Sequence, residues 1–514
     1  MSVKSRLSFS VLANGIKALL SLILGMLVAR VLGPDEYGNF AFLLGSFWAI
    51  RALLDMGSSS AFFTFISQGV RESHYYVIYA IWLLCQLLIS VSLLGFLMPD
   101  SLIEKIWLGQ SRGVILWALA ATFLQNQVWQ TVIHLYESVR KTTRVQIASV
   151  SVILVQLIIV LLFVELSSLT VLLFLKIISV EYALFAVIMC KTLRLDLNSR
   201  DSVLNNANFR TVVLKYYVYC RPLAALGMLS FVYEMADRWL LQRYGGADQQ
   251  AFFQVAMQLS VVSVLVTTSI LNVLWKELAE SNAREDHVRV IDLYQRIVRL
   301  LVSVAMFFSC FLVVWAEEIV FLLLGDAYKN GWPVLLVMLF YPIHQSLGQI
   351  NGTLFRAVGE TTLLMQITVV NLLISLPLSF ILIAPSGGEF FSGFQMGALG
   401  LAIKVVGINI IFVNIESWFI SKRYSIPFQW EQQFSGVIVF IGMAYIAKIM
   451  GGYFYLTDSW FQVILAINTS GFFYVLMSLI LVTKVPAVIG VRDIDIIQIR
   501  SQIKTVFSRS LRSS

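Results

Sequence analysis

Runs of roughly 20 apolar residues, the length needed to cross a bilayer as a helix, recur along all 514 residues of this chain. Short connectors between them hold most of the charge. No water-soluble fold hides so much apolar chain. Apolar residues make up 59% of the sequence and charged residues 13%, where a soluble domain averages about a quarter charged. Mean hydropathy is +0.82. Hydrocarbon offers backbone groups no partner outside their own segment, so each run must be helical. The competing geometry, a membrane β-barrel, would show segments near ten residues of alternating polarity, and the sequence shows neither.

The reading is therefore an all-α integral membrane protein with fourteen transmembrane helices. The expected spans are 8–29, 38–60, 76–98, 113–135, 146–164, 168–190, 214–236, 248–272, 297–320, 332–352, 361–384, 396–418, 433–450 and 461–482. The first follows the basic start Lys4 and Arg6 but lacks a small-x-small exit and reaches Arg30 and Gly33-Pro34, so it reads as a helix rather than a cleaved leader.

Charge sets the orientation. With the N-terminus in the cytoplasm, 25 of the 37 Lys and Arg residues fall on its side and six, Arg238 and Arg243 among them, on the other. Cytoplasmic connectors collect Lys and Arg, so both termini are expected inside. The net charge of +8 is thereby explained by topology, and no nucleic-acid partner is expected. Two cytoplasmic pieces carry structure of their own. The 275–299 region extends the eighth and ninth spans beyond the bilayer. The 491–514 tail spaces Ile496, Ile499, Ile503 and Phe507 helically beside Arg500, Lys504 and Arg509, as an amphipathic helix on anionic membrane lipids would.

Catalysis has no visible carrier. The chain lacks GxSxG, Walker A, CxxC and HExxH patterns, and its four cysteines and four histidines are scattered. No enzyme activity, metal or cofactor is expected; a transporter is the default for many helices with scattered midplane charge.

The informative residues are polar ones inside the spans, because a charge at the bilayer centre requires a partner or water. Asn14 and Lys17 share a face of the first span. Arg51 and Asp55 are one turn apart in the second and can pair. Gln125 and Asn126 in the fourth span, His344 in the tenth and Lys404 in the twelfth complete a candidate wall. Cations suit an anionic solute, and amides suit hydroxyl groups. Glu234 and Asp237, three apart toward the end of the seventh span, could hold a coupling cation or pair with local basic residues.

The first connector reads Leu27-Val28-Ala29-Arg30-Val31-Leu32-Gly33-Pro34-Asp35-Glu36-Tyr37-Gly38. It closely resembles the opening motif of the polysaccharide biosynthesis flippase family, within the multidrug/oligosaccharidyl-lipid/polysaccharide exporter group. Asp55-Met56-Gly57 is similar to a second family element, and Asp237 through Phe253 to the passage between the seventh and eighth helices. The resemblance implies two pseudo-symmetric six-helix lobes, 1–190 and 191–418, with a two-helix hairpin at 419–482 and the basic tail at 483–514. Laying 26–42 on 238–254 pairs Gly33 with Gly245 and Phe40 with Phe252.

The function so implied is translocation of polyprenyl-diphosphate-linked oligosaccharide across the cytoplasmic (inner) membrane by alternating access, for O-antigen or exopolysaccharide assembly. A proton or sodium gradient would couple it. Polysaccharide polymerase and glycosyltransferase machinery would be its partners. The alternatives are a cation-coupled multidrug exporter and a flippase of the peptidoglycan lipid precursor.

Overall fold

The computed structural model describes residues 3–68, 73–166, 168–197, 209–261, 264, 271, 274, 277–387, 392–428, 430–452 and 460–484. The basic tail beyond 484 lies outside them. Among the described residues every regular element is a helix, with no strand, as the hydrocarbon argument requires. Nine helices among the described residues are long and apolar enough to cross a membrane; the protein is a multi-pass membrane protein.

Breaks in the helices account for part of the difference between these nine and the fourteen expected spans, and the expected span 248–272 lies partly outside the described residues. The helix α1, Val3–Asp55, is two limbs joined at Gly33, whose φ of 75° and ψ of 170° leave the helical region before Pro34. Glycine supplies the positive φ, and proline starts the next limb because its missing N–H has no partner there anyway. Two expected spans are thus counted as one. The second limb also stops earlier than expected: Met56 and Gly57 are left-handed, and α2, Ser58–Ser67, begins a new helix. Next come α3 (Ser73–Ser92), which ends in a π-helical turn at Leu93–Leu97, α4 (Asp100–Trp107) and α5 (Arg112–Phe123). Arg112 ties this corner by donating to Gly95 O at 2.7 Å, Met98 O at 2.8 Å and Asp100 Oδ1 at 2.6 Å.

A second π turn, Leu124–Val128, separates α5 from α6 (Trp129–Ser138) and so divides the expected fourth span. Then follow α7 (Thr142–Glu165), α8 (Val171–Leu197) and α9 (Phe209–Leu240), a third π turn at Leu241–Gly245, and α10 (Ala247–Val261). At Gly246 the backbone has φ 90° and ψ 177°, close to the conformation at Gly33. The recurrence falls one residue later than the sequence alignment, which paired Gly33 with Gly245. A π turn holds one residue more than the α-helical ladder it interrupts, which accounts for the offset.

Further helices are α11 (His287–Val314), α12 (Ala316–Leu324), α13 (Trp332–Met338), α14 (Tyr341–Ala357), α15 (Thr361–Ile383), α16 (Gly397–Tyr424), α17 (Trp430–Gly452) and α18 (Trp460–Lys484). As expected for the 275–299 region, α11 starts well before the apolar stretch. Its N-cap is Asp286, whose carboxylate accepts from Arg289 N at 3.0 Å. It ends at Val314, short of the expected residue 320, because the chain turns at Trp315 before α12.

The chain forms two compact units. One comprises Met1–Val255 with Leu376–Leu401, the other Ala256–Ser375 with Ala402–Ser514. In the first, α1 packs on α9 and α7, and α5 on α8. Gly38 lets α1 approach the start of α10 so closely that a Cβ there would meet the carbonyl of Ala247. In the second, α11 packs on α14 and α17, and α17 on α18, around an apolar core that includes Met306, Leu347, Phe440 and Tyr474. A polar knot stands beside it. Tyr294 OH donates to Asn351 Oδ1 at 2.9 Å, while Asn351 Nδ2 reaches Ser417 Oγ at 2.9 Å and Val413 O at 3.2 Å. Asn351 is fully buried and serves as glue between helices, a role amides commonly take in membranes.

Candidate functional site

In the first unit, one face of α1's second limb turns toward a cavity of about 240 Å³. Tyr37, Phe40, Ala41, Leu44, Gly45 and Trp48 line it; their spacings of three and four keep them on one face. Opposite stand Thr122, Gln125 and Asn126 from α5 and the π turn that follows it, Arg238 from α9 and Gln254 from α10. The π turn matters because its extra residue rotates the helix face, presenting Gln125 and Asn126 in succession; such turns recur at functional sites. Gln125 is oriented by its Nε2, which donates to Tyr182 OH at 3.2 Å. Behind the wall, Gln127 Nε2 donates to Gln86 Oε1 at 3.3 Å, and Gln86 Nε2 to Leu54 O at 3.2 Å.

Arg238 supplies the cavity's positive charge. Sequence reading assigned it to an outer connector, but α9 continues to Leu240 and carries Arg238 on its last turn. Glycine at position 45 makes its position available: a Cβ there would fall on the Arg238 guanidinium. Glu234 and Asp237 are both within electrostatic reach of Arg238. The buried carboxylate of Asp237 also accepts from Ser379 Oγ at 2.5 Å. The signal that could have found Arg238 was the Glu-x-x-Asp-Arg run itself, since two acidic residues one turn apart within an apolar helix call for a cation.

The other expected residues are distributed differently. Arg51 lies with its guanidinium 5.4 Å from the Trp48 ring centroid, next to the cavity lining, and is felt electrostatically by Glu234. It does not pair with Asp55, contrary to expectation. The Asp55 carboxylate is taken up at the start of α2, accepting from Ser58 Oγ and Ser59 N, each at 2.9 Å, and from Ser59 Oγ at 2.8 Å. The break at Met56-Gly57 brings those donors onto it. Asn14 is exposed and Lys17 half-buried on α1's first limb; neither lines this cavity. His344 and Lys404 belong to the second unit. Lys404 is 1% exposed and partnered, and His344 is buried near Gln433. Among the described residues no cluster of His, Cys, Asp and Glu could hold a metal ion.

A family model described as "Polysaccharide biosynthesis protein" matches residues 4–275, more than half of the chain. The chain belongs to the polysaccharide biosynthesis protein family. A second model, MatE, matches residues 222–381. No curated protein matches the sequence. Among solved structures, the lipid II flippase MurJ in an inward closed conformation is similar over 92% of this chain and 98% of its own, with TM-score 0.66 and 13% identity. An inward-facing multidrug resistance MATE family transporter of the MOP superfamily is similar over 79% and 95%, with TM-score 0.63 and 15% identity. A MOP superfamily transporter from Pyrococcus furiosus, whose binding pocket is described as of reverse polarity, is similar over 82% and 95%, with TM-score 0.55 and 13% identity. At these identities the likeness establishes the fold, which is that of MOP superfamily transporters.

Proposed function

We propose that this member of the family is a flippase that moves polyprenyl-diphosphate-linked oligosaccharide across the cytoplasmic membrane by alternating access. The observation that carries the reading is the cavity of the first unit, where one guanidinium, three amides and a hydroxyl converge between aromatic side chains. A guanidinium grips phosphate oxygens in a bidentate fork. Amides both donate to and accept from sugar hydroxyls, and the exposed Trp48 offers a flat surface for a sugar ring. At about 240 Å³ the cavity suits the diphosphate and its nearest sugar. The rest of the oligosaccharide and the prenyl chain would extend beyond it.

In this reading Lys17 and Arg51 add positive charge to the first unit and Lys404 to the second. Glu234 and Asp237 hold Arg238 in place and are the candidates for coupling to a proton or sodium gradient. Fourteen spans with both termini inside complete the topology. Cysteine labelling at Ser2, Ser168 and Ser514 should then report inside, outside and inside.

The test is flipping in reconstituted vesicles, normalised to folded protein, with three substrates presented separately: a polyprenyl-diphosphate oligosaccharide, the peptidoglycan lipid precursor, and a cationic drug. The reading expects the first to be moved and Arg238→Gln to abolish its movement. Transport of the drug alone would replace it with the multidrug reading. Preference for the peptidoglycan precursor would move the substrate to the other lipid-diphosphate class.

A further inference from the structure

A second, larger pocket has no part in that reading. In the second unit, the end of α14, the start of α15 and the last turns of α16 enclose about 440 Å³. Its floor is apolar and well packed: Leu354, Phe355 and Ile420 are buried. Phe419 and Leu363 widen it, and Glu360, Lys422, Arg423 and Tyr424 stand at the rim. Such a volume falls within the roughly 300–1,000 Å³ of small-molecule sites. An apolar floor beneath a cationic rim describes an amphiphile with an anionic head.

Its depth is set by helix length. With 28 residues, α16 is about 42 Å long at 1.5 Å per residue, against roughly 30 Å of hydrocarbon. Its last turn therefore reaches the headgroup layer. Trp418 in the preceding turn is exposed, with Lys422 Nζ 5.3 Å from its ring centroid, an arrangement suited to a membrane-water boundary. The rim charges are available. Arg423 meets Glu360 at 3.4 Å, but the two side chains are 72% and 44% exposed, and such surface pairs are weak enough to exchange. An arriving phosphate can take the Arg423 fork and the Lys422 ammonium together, leaving Glu360 to water.

We propose that this pocket is a binding site for the headgroup and first acyl segment of an anionic phospholipid. Lys422 and Arg423 hold the phosphate, and Phe419 and Leu363 take the chain. Glu360 is the competing carboxylate that keeps the site shut when no lipid is bound.

The experiment uses the purified full chain in neutral detergent, titrated with dioleoyl phosphatidylglycerol or dioleoyl phosphatidylcholine, with bound lipid counted by native mass spectrometry. Phosphatidylglycerol should bind in preference to phosphatidylcholine. The Lys422→Gln/Arg423→Gln double variant should lose roughly tenfold or more in affinity, since each basic residue at an anionic surface is worth about a factor of five. Glu360→Gln should bind more tightly than the parent, a gain that misfolding cannot imitate. Leu363→Trp, which narrows the place of the chain and leaves the charges, should bind less. Equal phosphatidylglycerol binding by parent and double variant would overturn the proposal. So would a Glu360→Gln variant no tighter than the parent. Inorganic phosphate at millimolar concentration should leave lipid binding intact; if it displaced the lipid fully, the site would be one for free anions and the lipid assignment would fail.

Discussion

Arg238 occupies the space that any side chain at position 45 would need. The two residues come from α9 and α1, and glycine at one is the condition for the guanidinium at the other. Gly45→Ala places a methyl against the flexible end of Arg238, which can swing aside without moving either backbone. The variant should therefore fold and insert near parent level yet flip lipid-linked oligosaccharide poorly. A hydrogen bond to a charged group is worth about 1.5–3 kcal/mol, so initial rates should fall by roughly ten- to a hundredfold. Arg238→Lys keeps the charge without the fork and should fall between Gly45→Ala and the parent. The check is flux per folded molecule; equal flux for Gly45→Ala and parent would mean the guanidinium is not used where the cavity holds it.

The carboxylate of Asp55 is an N-terminal anchor for α2, not a partner for Arg51. Three donors from Ser58 and Ser59 converge on it, so Asp55→Ala should lower stability by about 0.5–2 kcal/mol, the usual loss for a helix cap. Arg51→Ala should neither add to nor relieve that loss. A double-mutant cycle followed by thermal unfolding in detergent should give a coupling within about 0.5 kcal/mol of zero, as for independent sites. Rescue of Arg51→Ala by Asp55→Ala would instead show an ion pair.

These two relationships mark where sequence reading reaches its limit. That the chain crosses a membrane many times as helices was legible at once, because hydrocarbon admits so few alternatives. The break at Gly33-Pro34 was legible too, since those residue types leave the backbone little choice. The π turns were not. They depend on how a helix settles against its neighbours, and nothing in Leu241–Gly245 announces an extra residue. That one residue shifted the apparent repeat from Gly246 to Gly245. Asp55 misled for a related reason. Spacing of four puts Arg51 within reach on an unbroken helix, but Met56-Gly57 ends that helix and delivers closer donors. Gln125 and Asn126, which line the first-unit cavity, were singled out because amides in apolar runs stand out. Arg238 was passed over because a basic residue near a span's end looks like a connector.

Two glycines on α1 separate close approach from mere permissiveness. A Cβ on Gly38 would meet backbone atoms of Ala247, which cannot step aside, whereas one on Gly15 would find nothing within 4 Å. Gly38→Ala should thus destabilise by about 1–3 kcal/mol, the range for overpacking. Gly15→Ala should be neutral or stabilising by up to about 1 kcal/mol through helix propensity. In one detergent the melting temperature should fall for Gly38→Ala and hold or rise for Gly15→Ala, and a Gly38→Ala protein as stable as the parent would show that α1 and α10 are not in such close contact.

Lys448 on α17 ties three elements together. Its Nζ lies 2.6 Å from Glu318 Oε1 and donates to Val314 O at 2.7 Å, with the Trp315 ring centroid 4.6 Å away. The pair is about one quarter to one third exposed, at 31% and 23%, so it is screened less than a surface bridge yet does not carry the full desolvation burden of a buried one. The carbonyl of Val314 matters as much as the carboxylate, because the last carbonyls of α11 have no partner within their own helix and Lys448 supplies one. Lys448→Met should therefore lose both contacts and leave Glu318 short of its cation, lowering stability by more than the roughly 1 kcal/mol ceiling of exposed pairs. Glu318→Gln alone should be milder, since Lys448 keeps Val314 O and the indole face. The double variant Lys448→Met/Glu318→Gln should recover part of the Lys448→Met loss, because the unpaired carboxylate is gone. Flipping per folded molecule should be unchanged in all three, as none of these groups lines the first-unit cavity. A double variant less stable than Lys448→Met alone would refute the ion pair as the source of the effect.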